Sequence, residues 1–272
     1  MRDLKVFYSD NGVFSDLSND MRDYLRDDNA FTFVAAEDYI YVGLHKPFYA
    51  IYAEFETASA SDPTLDLAIS TGAAFSSISF TDDTKGFTRS GFVRWDREMS
   101  TWAQQSVNSE SQYWLRIGAA SDFTMTVRGI NVVFSDDTDL QKEMRSIDNF
   151  KSSGDSSFIA YHVSARDEIV QSMRNAGRVT MRNDSENLKE FTQWDFLDID
   201  QVRNASKYLT LAKIMFDVST NPQDKYYERY KDFIDKYAKA FDLYLLWYDS
   251  DDDGEMSQAE NRNFRSVGLF KI

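Results

Sequence analysis

Phe123-Thr124-Met125-Thr126-Val127-Arg128-Gly129-Ile130-Asn131-Val132-Val133-Phe134-Ser135-Asp136-Asp137-Thr138-Asp139 is where the periodicity of the chain changes. Up to Val127, apolar and polar residues alternate, which is the period of a half-buried strand. Beyond Asp136-Asp137-Thr138-Asp139 the apolar residues return every three or four positions, which is the period of a helix. A β-rich first part followed by a helical second part places the chain in the α+β class.

Working back from this junction, alternation recurs in Tyr39-Ile40-Tyr41-Val42, Tyr49-Ala50-Ile51-Tyr52-Ala53-Glu54-Phe55, Leu65-Asp66-Leu67-Ala68-Ile69, Phe92-Val93-Arg94-Trp95 and Tyr113-Trp114-Leu115-Arg116-Ile117. Gly, Asp, Ser and Thr clusters separate these runs, so residues 1–140 are expected to form an antiparallel β-sandwich of about seven or eight strands. Trp95 and Trp114 lie inside alternating runs and are expected in the core. Trp102 lies in the less regular 98–111 stretch and is the one expected at the surface.

Working forward, 141–155 is short, polar and suited to a connector, with Lys151-Ser152-Ser153-Gly154-Asp155 at its end. Residues 156–248 are expected to be a small helical bundle. Phe158, Ile159, His162, Ala165, Arg166, Ile169, Val170 and Met173 make one stripe, with Gly177 ending the helix. Val202, Ala205, Tyr208, Leu209, Ala212, Ile214 and Phe216 make a second stripe, on a helix over about 199–219. A third helix is expected from Asn221-Pro222, with Asn as cap and Pro in the first turn, through to Tyr248.

Composition narrows function. The 272 residues carry 45 acidic and 30 basic side chains, a net charge of −15, which disfavours a protein built to grip phosphate backbones. Cysteine is absent, which removes disulfides, thiolate metal sites and Cys nucleophiles. No stretch approaches the ~20 apolar residues of a membrane span. His45 and His162 are the only histidines, and His162 sits on an apolar stripe, so it is expected to be a hydrogen-bonded core residue. No phosphate-binding glycine loop, nucleophile elbow or His-Glu-x-x-His occurs, and the expectation is a protein without catalytic activity.

The sharpest local pattern is Asp249-Ser250-Asp251-Asp252-Asp253-Gly254-Glu255-Met256-Ser257-Gln258-Ala259-Glu260, residues 249–260. Its spacing is that of an EF-hand calcium loop, with oxygen donors at positions 1, 3 and 5, Gly at 6 and Glu at 12. Asp249, Asp251, Asp253, the Glu255 carbonyl, a Ser257-held water and Glu260 supply the oxygens a hard cation wants. The expected ion is Ca2+ or a similar divalent cation in a structural role, offsetting six carboxylates placed after the negative end of a helix. Met256 stands where a branched aliphatic is usual.

Two longer segments carry a resemblance. Residues 39–48, with 85–96 and 113–117, look like a β-sandwich module of virion structural proteins from tailed bacteriophages. Residues 164–170 and 198–205, with the third helix, are similar to the helical head-to-tail adaptor proteins that dock under the portal. The resemblance implies a neck or adaptor ring, a homo-oligomer of twelve copies between portal and tail proteins. DNA would pass through that ring without sequence-specific binding. The protein would be made in the host cytoplasm and placed in the virion. Residues 261–272, with Arg262, Phe264, Arg265, Val267, Leu269, Phe270, Lys271 and Ile272, would be the portal-docking arm, carrying three positive charges among apolar anchors. The alternative is a tail-associated or decoration protein whose sandwich binds host-surface glycans.

Overall fold

The computed structural model describes residues 4–24, 29–95, 100–177, 179–181, 188–241 and 246–254. The chain divides into two compact units, Met1–Val132 and Val133–Ile272.

The first unit is built from β1 (Lys5–Asp10), β2 (Val13–Asp16), a short helix α1 (Ser18–Met21), β3 (Asn29–Phe33), β4 (Tyr39–Leu44), β5 (Ala50–Thr57), β6 (Leu65–Ser70), β7 (Phe75–Ser77), β8 (Phe80–Asp82), β9 (Gly91–Trp95), β10 (Gln105–Val107), β11 (Glu110–Ala119) and β12 (Phe123–Asn131). One antiparallel sheet runs β2-β1-β4-β11-β6-β7, with β10 added on β11; the other runs β3-β12-β5-β9-β8. All six runs read as strands from alternation lie in β4, β5, β6, β9, β11 and β12. The count is twelve among the described residues rather than seven or eight, because β2, β7, β8 and β10 have only three or four residues each, too few to show a period.

The centre of the first sheet explains the aromatic content of this unit. Trp114 on β11 is fully buried and pairs with Gly43 on β4. A Cβ at Gly43 would enter the Trp114 ring, so glycine makes room for the indole. Phe7 packs against the same ring at 5.2 Å and Tyr41 meets it edge-on at 6.4 Å. The indole N–H of Trp114 donates to the Gln105 carbonyl at 2.8 Å, which ties β10 to the core. Trp102 is only 8% exposed, packed on Phe48 at 5.1 Å and on Trp95 at 6.2 Å, which corrects its expected surface position. An irregular backbone hid a core side chain.

The second unit contains α2 (Asp137–Glu143), a 3-10 turn at Ile147–Phe150, α3 (Ile159–Asn175), the hairpin β13 (Val179–Met181) with β14 (Leu188–Glu190), a 3-10 turn at Gln193–Asp195, α4 (Asp200–Val218) and α5 (Lys225–Ala240). The stripe expected on α3 is buried throughout, and Gly177 follows it at φ +74°, the left-handed position that closes a helix. On α4, Val202, Ala205, Leu209, Ala212 and Ile214 are buried and Tyr208 partly so, but Phe216 is 53% exposed.

Three boundaries differ from the sequence reading. The units part at 132/133 rather than at 140, since α2 belongs with the helices: Leu140 is fully buried with Met144, Ile147, Phe158, Leu211 and Met215. The same packing makes the expected connector 141–155 part of the helical core. The third helix starts at Lys225 under an Asp224 cap, whose carboxylate accepts from the Tyr226 N–H at 2.9 Å. Asn221 instead shapes the preceding turn by accepting from the Gln223 N–H at 2.9 Å. Helix α5 ends at Ala240, and Tyr248 lies in a bridge with Phe196.

Gly43→Ala is expected to destabilise the first unit by about 1–3 kcal/mol through overpacking against Trp114. Urea denaturation of a fragment covering 1–132, followed by tryptophan emission, is expected to show one cooperative transition that moves to lower denaturant in this variant. A non-cooperative fragment would contradict the two-unit division.

Candidate metal centre

The acidic loop rests on a shelf built by the segment between β14 and α4. The Thr192 N–H and hydroxyl both donate to Asp195 Oδ2, at 2.6 and 2.9 Å, a capping box that folds the 3-10 turn and buries Asp195 completely. Phe196 then packs edge-on against Phe191 at 5.0 Å and against Phe134 at 5.0 Å, while Phe191 meets Tyr248 at 5.7 Å. Phe196 and Tyr248 form an antiparallel bridge. Gln201, in the first turn of α4, grips the Trp247 peptide from both sides: its amide donates to the Trp247 carbonyl at 2.6 Å and accepts from the Trp247 N–H at 2.7 Å. The Asp249 N–H donates to the Asp195 carbonyl at 2.8 Å. The first residue of the loop is thereby pinned.

Asp249 organises the rest of the loop. Its side chain is buried, with the residue 1% exposed, and three loop amides turn inward to it. Asp252 and Asp253 N–H donate to Oδ1 at 2.6 and 3.1 Å, and Gly254 N–H donates to Oδ2 at 3.0 Å. Closing the loop this tightly puts Asp252 at φ +67° and Gly254 at φ +80°. Aspartate tolerates the left-handed region better than most residues, and glycine enters it freely.

Carboxylate oxygens of Asp249, Asp251 and Asp253 lie within 4.8 Å of one another, and those of Asp195, Asp249 and Asp252 form a second such group. Two oxygens that share an ion at about 2.4 Å are at most about 4.8 Å apart, so both groups fit a hard divalent cation. An all-oxygen donor set suits calcium or magnesium rather than a soft metal. Of the residues expected from the loop spacing, the structure brings Asp249, Asp251 and Asp253 together; Glu255, Ser257 and Glu260 lie outside the described residues. So do Arg262, Phe264, Arg265, Val267, Leu269, Phe270 and Ile272 of the expected docking arm. Asp195 was missed by the loop pattern, being 54 positions away from Asp249. The Thr192-x-x-Asp195 capping spacing is the local signal that marks its fold. The helix-dipole reason for a cation also falls away, because Asp249 stands nine residues beyond Ala240, the last residue of α5.

A second polar centre lies among the helices and resembles catalytic machinery. Ser135 Oγ is 3.0 Å from His162 Nδ1, and His162 Nε2 is 3.2 Å from Asp137 Oδ1. Acyl-transfer enzymes use a Ser-His-Asp line with the serine on Nε2 and the aspartate on Nδ1, the reverse of the ring orientation here. Here Ser135 and His162 are fully buried, and Ser135 Oγ also meets Ser206 Oγ at 2.8 Å, so a substrate has no path to the hydroxyl. The cluster ties helices together. Asp137 takes a salt bridge from Lys151 at 3.0 Å and accepts from the Phe158 N–H at 3.1 Å, at the start of α3. Asp136 and Asp139 form a reciprocal capping box at the start of α2, and Arg203 on α4 bonds Asp139 at 2.7 Å.

Burial raises the Asp136 pKa, with Asp139 beside it adding to the effect. Burial also works against Asp137 and Asp139, but their bonds to His162 and Lys151, and to Arg203, outweigh it and hold both below the ordinary carboxylate value. Depressed carboxylates contribute stability that is fully present above their unfolded-state pKa and is lost as pH falls through the folded-state value. Asp136 has the opposite sign, and its penalty is relieved on acidification. The second unit is therefore expected to lose stability below about pH 4, where the two depressed groups dominate. Arg203→Met leaves buried Asp139 with only the exposed Lys142 at 3.4 Å and is expected to cost about 3 kcal/mol at neutral pH. It should also flatten the acid limb of a pH–stability profile measured by denaturant titration.

Among the described residues, no helix is long and apolar enough to cross a membrane. No family model matches the chain, and no curated protein matches it. A solved structure with local likeness is CpGH89 from Clostridium perfringens, in complex with its substrate GlcNAc-alpha-1,4-galactose. The alignment has 13% identity and a TM-score of 0.30, covers 65% of this chain and spans about one fifth (20%) of that chain's length, and at that score the likeness bears on neither fold nor activity here.

Proposed function

We propose that this chain is a non-catalytic structural protein whose helical unit is locked by a calcium ion held in the 249–260 loop. The observation that carries the reading is the buried Asp249 carboxylate, with Asp195, Asp251, Asp252 and Asp253 oxygens gathered around it. Such a loop has the donor order of an EF-hand, standing here without a second hand beside it among the described residues. Bound calcium would bridge the 3-10 turn ahead of α4 to the segment after α5, reinforcing the Phe196–Tyr248 bridge, the Gln201 clamp and the Asp249–Asp195 backbone bond.

The setting we propose is an assembly, with the neck or adaptor ring of a tailed phage as its particular form. What supports it is the order of units, β-rich then helical, together with the resemblance of residues 164–170 and 198–205 to head-to-tail adaptors. We read the two sheets as the layers of a sandwich, since Tyr8 of the first packs on Phe31 of the second at 4.8 Å. A glycan-binding role draws less support. Trp95, Trp102 and Trp114, the three tryptophans of the β-rich unit, are 6%, 8% and 0% exposed, and all three are spent on the core.

Calcium at one hundred times its dissociation constant is expected to stabilise the second unit by about 2.7 kcal/mol through mass action. The rise in Tm should disappear in Asp249→Asn and shrink in Asp195→Asn, with magnesium less effective than calcium. Thermal melts with and without chelator check this, and a Tm indifferent to calcium in the unsubstituted chain would overturn the reading.

A further inference from the structure

Helices α3, α4 and α5 leave a cleft of about 660 Å3 on the second unit. That volume falls within the ~300–1,000 Å3 of ordinary ligand sites. Its floor is apolar, with Leu209 and Ala212 buried on α4 and Ile234 of α5 at the side. Phe216 stands over it, 53% exposed although it continues the apolar stripe of its helix. The lining is acidic: Asp155, Glu168 and Asp217 face it against one cation, Lys213, leaving two net negative charges. Lys213 Nζ bonds Glu168 at 2.7 Å, and the Tyr161 hydroxyl donates to Asp217 at 2.8 Å. The tyrosine registers the negative field, its pKa pushed up to about 12 by burial and then by Asp217 and Asp155.

We propose that this cleft is the receptor for the chain's own C-terminal segment, residues 261–272. The two are complementary. The segment carries Arg262, Arg265 and Lys271 and no acidic residue, against the acidic rim, and it offers Phe264, Val267, Leu269, Phe270 and Ile272 to the apolar floor. Reach is sufficient. The chain is pinned at Trp247 beside Gln201, and Phe216 lies fifteen residues further along α4, about 22 Å at 1.5 Å per residue. From Gly254 to Phe264 is ten residues, which span up to about 33 Å when extended. Seating the segment covers Phe216 and the five apolar side chains of the tail together, surfaces that would otherwise invite aggregation. The cleft contains no residue of the acidic loop, so the inference stands apart from calcium binding and is tested in chelator.

The test uses a fluorescently labelled peptide of sequence 261–272 and two full-length chains, one unsubstituted and one with Phe264→Ser, Leu269→Ser and Phe270→Ser in its tail. Anisotropy is expected to show the peptide binding the tail-substituted chain at least tenfold more tightly, because its cleft is empty. Adding Phe216→Ser or Asp217→Lys to that chain is expected to weaken the peptide tenfold or more; both positions are at the surface, and unchanged circular dichroism melts verify folding. Equal binding to the two full-length chains, no binding to the tail-substituted chain, or binding indifferent to both cleft substitutions would overturn the proposal. Sedimentation at the same concentrations is expected to find the same association state for both full-length chains. Self-association that the tail substitutions abolish would assign the cleft to a second copy's tail and overturn it equally.

Discussion

A buried negative charge must be matched, and around Asp249 the protein matches it first with its own backbone. Three amide groups of the loop turn inward to one carboxylate, and the amide of Asp249 itself is spent on the Asp195 carbonyl. Charge-assisted bonds of this kind are about twice as strong as neutral ones, and they hold a stretch, 249–254, that has no apolar side chain of its own. The bridge of Phe196 to Tyr248 and the Gln201 clamp on Trp247 act with it, and together they fix the point from which the remaining chain departs. Further carboxylates crowd the same place, and a divalent cation would turn that crowding from repulsion into coordination.

The second buried polar centre works differently. Asp136, Asp137 and Asp139 arrive together in the sequence, yet each is matched by a different element: a capping box within α2, His162 and Lys151 for Asp137, and Arg203 of α4 for Asp139. Asp137 and Asp139 each keep a second partner when one is truncated, so the cluster ties α2, α3 and α4 together redundantly. It also shows how a catalytic constellation differs from a structural one. The atoms of Ser135, His162 and Asp137 lie at hydrogen-bond distance, and what separates them from an enzyme's triad is burial and a reversed imidazole, with Nδ1 toward the serine and Nε2 toward the aspartate.

Much of this was legible in the sequence where side chains have only one partner surface. The α3 stripe from Phe158 to Met173 reads directly because every third or fourth residue faces one core, and β4, β5, β6, β9, β11 and β12 read because each runs five or more residues and is rich in aromatic and β-branched side chains. Phe216 misled because periodicity reports which face a residue occupies, whereas coverage of that face depends on where α5 crosses it. Trp102 misled because burial in an irregular segment leaves no period at all. The end of α5 was overrun since the residues after Ala240 remain aromatic and leucine-rich, and Tyr248 is claimed by a long-range bridge that no local pattern encodes. For the candidate metal centre, Asp249, Asp251 and Asp253 were visible as spacing. Asp195 was not, because its approach to the loop is a product of tertiary folding.

Terbium luminescence tests the central claim most directly. The ion occupies hard oxygen sites built for calcium and emits when an excited aromatic ring lies close by, and Trp247 and Tyr248 immediately precede Asp249. Tryptophan excitation of the full-length chain is expected to give saturable terbium emission that calcium displaces and that Asp249→Asn removes. Emission that never saturates, or that is equally strong in the Asp249→Asn chain, would contradict a metal centre at this loop.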